Sequence, residues 1–158
     1  MFAGFLLHLS LALTWMFLAQ GSLPEFCLGA LGSYVLLLLF QKVLPVSTYL
    51  RRLHGFLRFI LVFFRELALA NITIARSVLF QPTEKMQPDF LIYPVPGLNG
   101  FEIFLLSQCI SLTPGTTTVQ VDLDRQELHL HAFDAAEPEE LCRQIDRTLK
   151  EAILAFTR

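Results

Sequence analysis

Two histidines have the spacing of a metal-binding pair. His129 and His131 stand two residues apart in ELHLHAF, residues 127–133, and alternate residues of a strand point to the same face. A zinc site needs three or four ligands, and nothing near this pair in the sequence supplies the others. Because Leu128 and Leu130 occupy the opposite face, we predict that both histidines lie on a solvated strand face and hold no metal.

A third histidine, His8, is the titratable side chain of the opening segment MFAGFLLHLSLALTWMFLAQ, which carries no charged residue. Ionisable side chains inside a membrane are functional candidates, so His8 is a candidate proton relay. The sequence shows no partner for it, and a single histidine does not make a proton path.

Other catalytic patterns are missing from the sequence. Cys27, Cys109 and Cys142 form no CxxC motif and stand among apolar residues, which is typical of small buried hydrophobes. The NG at 99–100 and the PG at 114–115 are isolated turns rather than a phosphate loop. We therefore predict that the chain is not an enzyme, and we predict no cofactor and no nucleic-acid partner.

The composition indicates a membrane protein with two unlike halves. Of the 158 residues 54% are hydrophobic and 16% are charged, which is too apolar for an ordinary soluble domain. Residues 1–80 carry six Lys/Arg and two acids, a net charge of +4, whereas residues 81–158 carry six Lys/Arg and twelve acids, a net charge of −6. The first half is basic and apolar, and the second is acidic and water-compatible.

Two apolar segments predict a membrane-spanning hairpin over residues 1–20 and 24–42. Each is long enough to cross a hydrocarbon core of about 30 Å. The alternative for the first segment is a signal peptide, but a basic n-region is missing and a second apolar run follows at once. Gly29 and Ser33 form a small-xxx-small pair that allows another helix to approach closely, or are simply small residues common in membrane helices.

The flanking charges predict the orientation of this hairpin. The connecting loop has no Lys or Arg, whereas basic residues follow the second span at Lys42, Arg51, Arg52 and Arg58. Positive charge is retained on the cytoplasmic side of membranes. Both ends of the hairpin are therefore predicted to face the cytoplasm, and the lipid bilayer is a predicted partner.

A third apolar segment, residues 54–80, carries charges that complicate its placement. On a helix, Arg58, Arg65 and Arg76 fall within about 20° of one line, Glu66 flanks that line, and an aromatic face lies opposite. The favourable free energy of inserting the apolar residues into a membrane and the cost of inserting the central charges nearly cancel. The geometry favours a helix lying in the membrane interface, but a spanning helix whose arginines face partner subunits also fits. With two spans the C-terminal half is cytoplasmic, and with three it is external.

The C-terminal half predicts a small domain. Residues 81–88 form a polar linker with two prolines, and residues 89–158 follow the order β-α-β-β-α, an α+β arrangement related to a split βαβ. The predicted first helix has apolar residues in helical spacing at Phe101, Phe104, Leu105, Cys109 and Leu112. The alternation in TTTVQVDLD predicts a half-buried strand that points Val119, Val121 and Leu123 inwards. The last helix starts at Pro138 and is predicted to bury Leu141, Ile145, Leu149, Ile153 and Phe156.

An acidic patch opens that last helix. Asp134, Glu137, Glu139 and Glu140 precede or occupy its first turn. Carboxylates at a helix N-terminus interact favourably with the helix dipole, so a helix start is the simplest interpretation. A docking surface for a basic partner is the alternative.

Three stretches of the chain together resemble the E-type subunits of the multisubunit Mrp-type cation (Na+)/proton antiporter family of bacteria and archaea. They are RELALANITIARSVLFQP at 65–82, SLTPGTTTVQVDLDRQELHLHAFD at 111–134, and the acidic opening with the apolar run of the last helix. The resemblance implies an accessory, non-catalytic subunit of a Na+(cation)/H+ antiporter in the cell membrane. Its implied partners are large subunits like those of respiratory complex I and small membrane subunits.

The resemblance also implies a topology and a set of residues. It implies a cytoplasmic C-terminal domain, and hence a segment 54–80 that stays on the cytoplasmic side, along the interface or partly sunk among neighbours. The matching positions are Glu66, Asn71 and the turn Thr113, Pro114, Gly115 and Thr116, the turn being structural. The parent assembly could equally be a related membrane-bound hydrogenase-type complex. A stand-alone membrane-tethered binding module is the competing class.

Overall fold

A computed structural model describes residues 2–82 and 86–158. The chain forms two compact units, Met1–His54 and Gly55–Arg158. The boundary falls inside a helix and not at the predicted linker, because residues after position 55 of that helix pack into the core of the second unit. Of the predicted linker 81–88, residues 83–85 lie outside the described residues.

The first unit contains helices α1 (Phe2–Leu18) and α2 (Leu23–Leu39), each of 17 residues. In the connection between these helices, Gln20 and Gly21 both have positive φ angles. The chain therefore reverses within a few residues. The Ser22 hydroxyl caps α2 by accepting a hydrogen bond from the Glu25 amide, and Pro24 occupies the first turn, where its missing N–H costs nothing. Both helices are shorter than the predicted segments 1–20 and 24–42. Within residues 2–82 and 86–158, no helix combines the length and the apolarity needed to cross a membrane.

Helix α3 spans Ser47–Phe80 and so begins seven residues before the predicted start at 54. No proline stands in this range, and its glycine, Gly55, serves a contact. A Cβ at position 55 would lie 2.5 Å from the carbonyl oxygen of Ala155. The absence of a side chain therefore allows α3 to lie directly against the backbone of the last helix.

The second unit continues with β1 (Asp89–Pro94), α4 (Gly100–Leu112), β2 (Thr116–Asp122) and β3 (Glu127–Ala132). It ends with α5 (Pro138–Ile145), a π-helical turn (Asp146–Lys150) and α6 (Glu151–Thr157). These three consecutive segments are together called the last helix. This order confirms the predicted β-α-β-β-α arrangement. In the part of the chain that the structure describes, the sheet has three strands in the order β1-β3-β2, and β3 is antiparallel to both neighbours. β1 and β2 therefore run in the same direction with β3 inserted between them, which is a split βαβ plan.

The core lies between one face of this sheet and helices α3 to α6. Leu128 and Leu130 are buried on β3, opposite Tyr93 and Leu91 of β1. The last helix buries Ile145, Leu149 and Ile153, as predicted, with Leu141 and Phe156 packed at the edge of the core. The aromatic ring of Phe59 on α3 lies 5.3 Å from that of Phe156.

Two elements of the second unit depart in part from their sequence patterns. β2 has a bulge between Thr118 and Gln120, which interrupts the two-residue alternation, and Val119, Val121 and Leu123 are exposed. Val121 lies opposite the buried Leu128 but is exposed on this edge strand.

Helix α4 buries Ile103, Leu106, Cys109 and Ile110. Of the residues in the predicted spacing, Cys109 is buried and Leu105 packs against the core, whereas Phe101, Phe104 and Leu112 are exposed. Since α4 is apolar on most sides, its periodicity could not select the buried face; contact with the sheet does.

Candidate functional site

The side of α3 that packs against the core of the second unit only partly coincides with the predicted apolar face, to which Ile60 and Phe63 belong. Phe59, Phe63 and Glu66 lie on the face that meets the core, about a quarter turn from the line of Arg58, Arg65 and Arg76 at 100° per residue. The predicted apolar face lay half a turn from that line. Part of the apolar surface of α3 is therefore left exposed, including Leu61 and Phe64.

The arginine line and its neighbours stay on the outside of α3. Arg58, Arg65 and Arg76 are exposed, and the side chain of Arg65 has 67% of its surface accessible. Asn71 is exposed as well, and its amide donates a 2.7 Å hydrogen bond to the carbonyl oxygen of Leu67. The hydrogen-bond partner of this amide is therefore the preceding turn of the same helix.

Glu66 departs from this exposed set. It is only 5% exposed, and its Oε1 accepts a hydrogen bond from Arg65 Nη1 at 2.5 Å. Its Oε2 accepts from the Gln144 side-chain amide of α5 at 3.2 Å. Glu66 therefore does pair within the arginine line, and it also joins α3 to the last helix.

A cleft of about 240 Å³ opens beside Glu66 in the second unit. Its walls come from α3, from the turn between α4 and β2, from the end of β3 and from the last helix. The whole predicted turn, Thr113 to Thr116, lines the cleft together with Glu66. The structure thus brings together five of the six residues that the family resemblance selected, although about fifty residues separate them in sequence.

The turn is held by its own chemistry. Gly115 has a φ of +100°, a conformation that side chains with a Cβ rarely adopt. A Cβ at that position would also lie 3.1 Å from Ile74 Cδ1 of α3. The hydroxyl of Thr113 donates to the carbonyl oxygen of Cys109, and that of Thr116 donates to the carbonyl oxygen of Ile110. These bonds close the C-terminal end of α4 and fix the turn against α3.

Several residues of the cleft were missed by sequence reasoning. Thr73, Ser77, Gln144 and Thr148 line it, and Asp134 of the predicted acidic patch stands at its rim. Their only signal in the sequence is a four-residue spacing, Thr73 to Ser77 and Gln144 to Thr148, which places each pair on one helix face. Nothing in that spacing shows that the two faces meet.

Two other ionised groups hold the second unit together. Glu102 is fully buried and accepts hydrogen bonds from Arg158, Thr157 and the Asn99 amide. The Arg158 guanidinium and these hydrogen bonds lower the pKa of Glu102 to about 2 despite its burial. Its bond with Asn99 also completes a capping box at the start of α4.

The second such group is Asp146. Tyr93 donates to its carboxylate at 2.6 Å and Lys150 donates at 2.8 Å. Burial works to raise the pKa of Asp146, but the hydrogen bonds from Lys150 and Tyr93 outweigh it, so the pKa is lowered. Burial, followed by the bond to Asp146, raises the pKa of Tyr93. Both Asp146 and Glu102 are connected to structural partners rather than to a cleft, which indicates a role in stability.

In the first unit, His8 has the partner that the sequence did not reveal. Its Nε2 lies 2.9 Å from the carbonyl oxygen of Ala30, and its Nδ1 lies 2.6 Å from the Tyr49 hydroxyl. A carbonyl can only accept, so Nε2 carries the hydrogen of a neutral His8 and Tyr49 donates to Nδ1. His54 repeats the pattern, with Nδ1 on the carbonyl oxygen of Leu50 and Nε2 on the Tyr34 hydroxyl.

Gly29 of the small-residue pair of α2 lies in close contact with α1. Gly29 and Ser33 are both buried. A Cβ on Gly29 would lie 2.8 Å from the carbonyl oxygen of Ala12 and 2.9 Å from Trp15 Cβ. The two helices of the first unit pack at this point.

The histidine pair lies on the outer side of the sheet. His129 and His131 are half-buried, and the ring of His131 lies 5.0 Å from that of Phe90 in an edge-on arrangement. Among residues 2–82 and 86–158, no three His, Cys, Asp or Glu side chains are grouped as metal ligands would be. Cys109 is buried and Cys142 half-buried, whereas Cys27 is exposed, which the sequence did not predict.

A known protein family matches almost the whole chain. A family model described as Na+/H+ ion antiporter subunit matches residues 8–156. The chain belongs to this family, MNHE. The resemblance seen in the sequence is confirmed.

Individual relatives match over nearly their whole length. The chain is 32% identical to the E subunit of the Na(+)/H(+) antiporter of Alkalihalophilus pseudofirmus over 154 residues, which cover 97% of each chain. It is 33% identical to the E1 subunit of the Na(+)/H(+) antiporter of Staphylococcus haemolyticus over 149 residues, covering 94% of this chain and 93% of that protein.

A solved structure shares the fold. A chain in the structure of the Mrp complex from Dietzia sp. DQ12-45-1b aligns with a TM-score of 0.50 and 24% identity. The alignment covers 73% of this chain and 99% of that one.

Proposed function

We propose that this member of the antiporter family is an accessory, non-catalytic component of a multisubunit Na+(cation)/H+ antiporter complex. It supports assembly or activity of the large ion-translocating subunits in cation and pH homeostasis. The observation that carries the proposal is the end-to-end similarity to proteins named as E and E1 subunits of Na(+)/H(+) antiporters.

The proposed place of the chain is the cell membrane of a bacterium or archaeon. Residues 1–20 and 24–42 cross the bilayer as a hairpin with both ends in the cytoplasm, and the C-terminal domain is cytoplasmic. Support comes from the absence of charge in residues 1–20 and from Lys42, Arg51 and Arg52 beyond the second segment. The exposed apolar side chains of α1 and α2, such as Phe17 and Leu31, suit contact with lipid or with other subunits.

Helix α3 is the proposed docking element. Its outer surface combines the exposed arginines 58, 65 and 76 with exposed Leu61 and Phe64. A basic line beside an apolar face suits the headgroup region of a bilayer or an acidic neighbouring subunit. Glu66 and Asn71 have separate roles in this proposal. Glu66 holds the Arg65 side chain through their ion pair, and the exposed Asn71 faces a neighbouring subunit.

His8 enters the proposal as a proton-relay residue of the first unit. Support comes from Tyr49, whose hydroxyl gives His8 Nδ1 a partner that can pass on a proton. Gly29 and Ser33 enter it as the helix-packing pair of the hairpin, supported by the close approach of Ala12.

The test is recovery of partners with the tagged full chain from native membranes in mild detergent. We expect large antiporter-like subunits to be recovered with it. Arg65→Glu reverses charge in the middle of the line and is expected to reduce that recovery several-fold. Arg76→Glu reverses another charge of the line and leaves the Arg65–Glu66 ion pair in place, so it tests docking without the loss of that pair. Arg125→Glu, an exposed arginine in the β2–β3 turn, is the matched control and should leave recovery unchanged.

Equal recovery of the large subunits with all three variants would show that the arginine line is dispensable. Recovery of the chain alone, still folded, would overturn the accessory role. Recovery with hydrogenase-type subunits would keep the architecture and change the parent complex.

A further inference from the structure

The lining of the cleft beside Glu66 is acidic. Two carboxylates, Glu66 and Asp134, line it. Among the residues that the structure describes, no Lys, Arg or His side chain lines the same cleft. Arg65 reaches one oxygen of Glu66, but its side chain is mostly exposed, away from the cleft walls.

Three of the hydroxyl groups that line the cleft have their hydrogens bound to backbone carbonyl oxygens. The hydroxyl groups of Thr113, Thr116 and Thr148 each donate a hydrogen bond to a backbone carbonyl oxygen, with oxygen–oxygen distances of 2.7, 3.1 and 2.7 Å. A hydroxyl that has donated its hydrogen can only accept further bonds. The side-chain amide of Gln144 likewise donates a hydrogen bond to Glu66. These three threonines and the two carboxylates therefore supply hydrogen-bond acceptors to the polar wall.

Glu66 retains capacity for a ligand. An ionised carboxylate offers about four acceptor positions, and the described contacts of Glu66 use two of them. Because the residue is almost fully buried, a charge brought to it is less screened than it would be in water. Leu69, Ile74 and Leu141 supply apolar wall beside these acceptors.

We propose that the cleft binds an aliphatic cation, with an ammonium or guanidinium head at Glu66 and Asp134 and a hydrocarbon stem along the apolar wall. An ammonium group carries three donors and a guanidinium group five, with no acceptor, which complements an acceptor-lined wall. Such a group is carried by a lysine or arginine side chain of a neighbouring polypeptide, or by a small free amine. The site goes beyond the accessory role, and its test is chemical, so failure here leaves that role intact.

The test uses the full chain with Ser77→Cys, a nearly isosteric change in the cleft wall. In detergent, the new thiol is modified by a cationic or an anionic methanethiosulfonate reagent, and each site is read by peptide mass spectrometry. Each reagent's rate at this site is first divided by its rate with a free thiol. On that basis, we expect the cationic reagent to react about tenfold faster than the anionic one, which corresponds to about 1.4 kcal/mol. Ala75→Cys, on the opposite side of α3, is the positional control and should show no such preference.

Two further variants connect the preference to the proposed head site. Glu66→Gln and Asp134→Asn, each in the Ser77→Cys background, should each reduce the cationic preference at least several-fold. Asp134 is exposed, so its variant keeps the test valid if Glu66→Gln unfolds the domain. Equal reaction of both reagents at Ser77→Cys, or a preference unchanged in a folded Asp134→Asn chain, would overturn the proposal.

Protection experiments identify the ligand and its source. Butylguanidinium, which has a guanidinium head on a butyl stem, and agmatine, which carries an ammonium group at the other end of that stem, should slow modification, whereas sodium ion at equal charge concentration should not. Equal protection by sodium would overturn the aliphatic class. In the assembled complex, protection without added agmatine would assign the site to a neighbouring side chain, and protection only with agmatine would assign it to a free amine.

Discussion

Replacing Glu102 by glutamine tests whether a buried charge stabilises the second unit. The carboxylate is fully buried, and Arg158 reaches it through Nη2 at 3.1 Å and through Nε at 3.3 Å. Glutamine keeps the shape and can still accept from the Asn99 amide, but it loses the charge that attracts Arg158. The variant therefore removes the ion pair and leaves the capping geometry of α4 in place.

The expected loss of stability at neutral pH is about 2 kcal/mol. Lowering the pKa of Glu102 from 4.5 to about 2 sets an upper limit of about 3–4 kcal/mol, at 1.36 kcal/mol per pKa unit. Arg158 is more than half exposed, so solvent screening reduces that limit. A single hydrogen bond to a charged group contributes about 1.5–3 kcal/mol, in the same range.

The effect should depend on pH in a defined direction. Because folding lowers the pKa of Glu102, the ionised carboxylate stabilises the native chain above a pH of about 4.5. This contribution is lost as the pH falls towards about 2, where the wild-type carboxyl becomes neutral as well. The difference in the free energy of unfolding between wild type and Glu102→Gln should therefore shrink across that interval and disappear below it.

Cys109 provides the assay. It lies in the core of the second unit, and burial raises the pKa of its thiol to about 11, so it reacts only when the domain opens. The full chain in detergent is unfolded with urea, and Cys109 is trapped by 4,4′-dithiodipyridine, which also reacts in acid, with readout by peptide mass spectrometry. Glu139→Gln, at an exposed glutamate, is the control and should change stability by less than about 0.5 kcal/mol. Equal urea midpoints for wild type and Glu102→Gln at neutral pH, or a difference that persists at the acid end, would refute the reasoning.

Three further predictions concern the turn, the hairpin and His8. Gly115→Ala should destabilise the second unit by about 1–2 kcal/mol in the same trapping assay, because alanine must adopt a positive φ and meets Ile74; an unchanged midpoint would contradict this. Gly29→Val should separate α1 from α2, since its side chain would meet Ala12; the fluorescence of the single tryptophan should then shift, and an unshifted spectrum would show that the helices tolerate the branch. His8→Gln should lower Na+/H+ antiport in membrane vesicles that contain normal amounts of the complex, and unchanged transport would remove His8 from the proton path.

Some features of this protein follow from its sequence alone. Strand β3 shows strict alternation in ELHLHAF, and Leu128 and Leu130 are buried as that pattern predicts. The last helix repeats apolar residues every four positions, and Ile145, Leu149 and Ile153 face the core. In both cases a polar face and an apolar face differ clearly, so local periodicity determines which side is buried.

Other features were decided only by tertiary packing. Helices α3 and α4 are apolar on more than one side, so their periodicity allowed several buried faces, and contact with the sheet and the last helix selected one. The burial of Glu66 follows from that selection, because rotating α3 by about a quarter turn brings this carboxylate to Gln144 and to the turn at Gly115. A sequence pattern records the period of each segment but not the contacts between segments distant in the chain, and the cleft consists of such contacts.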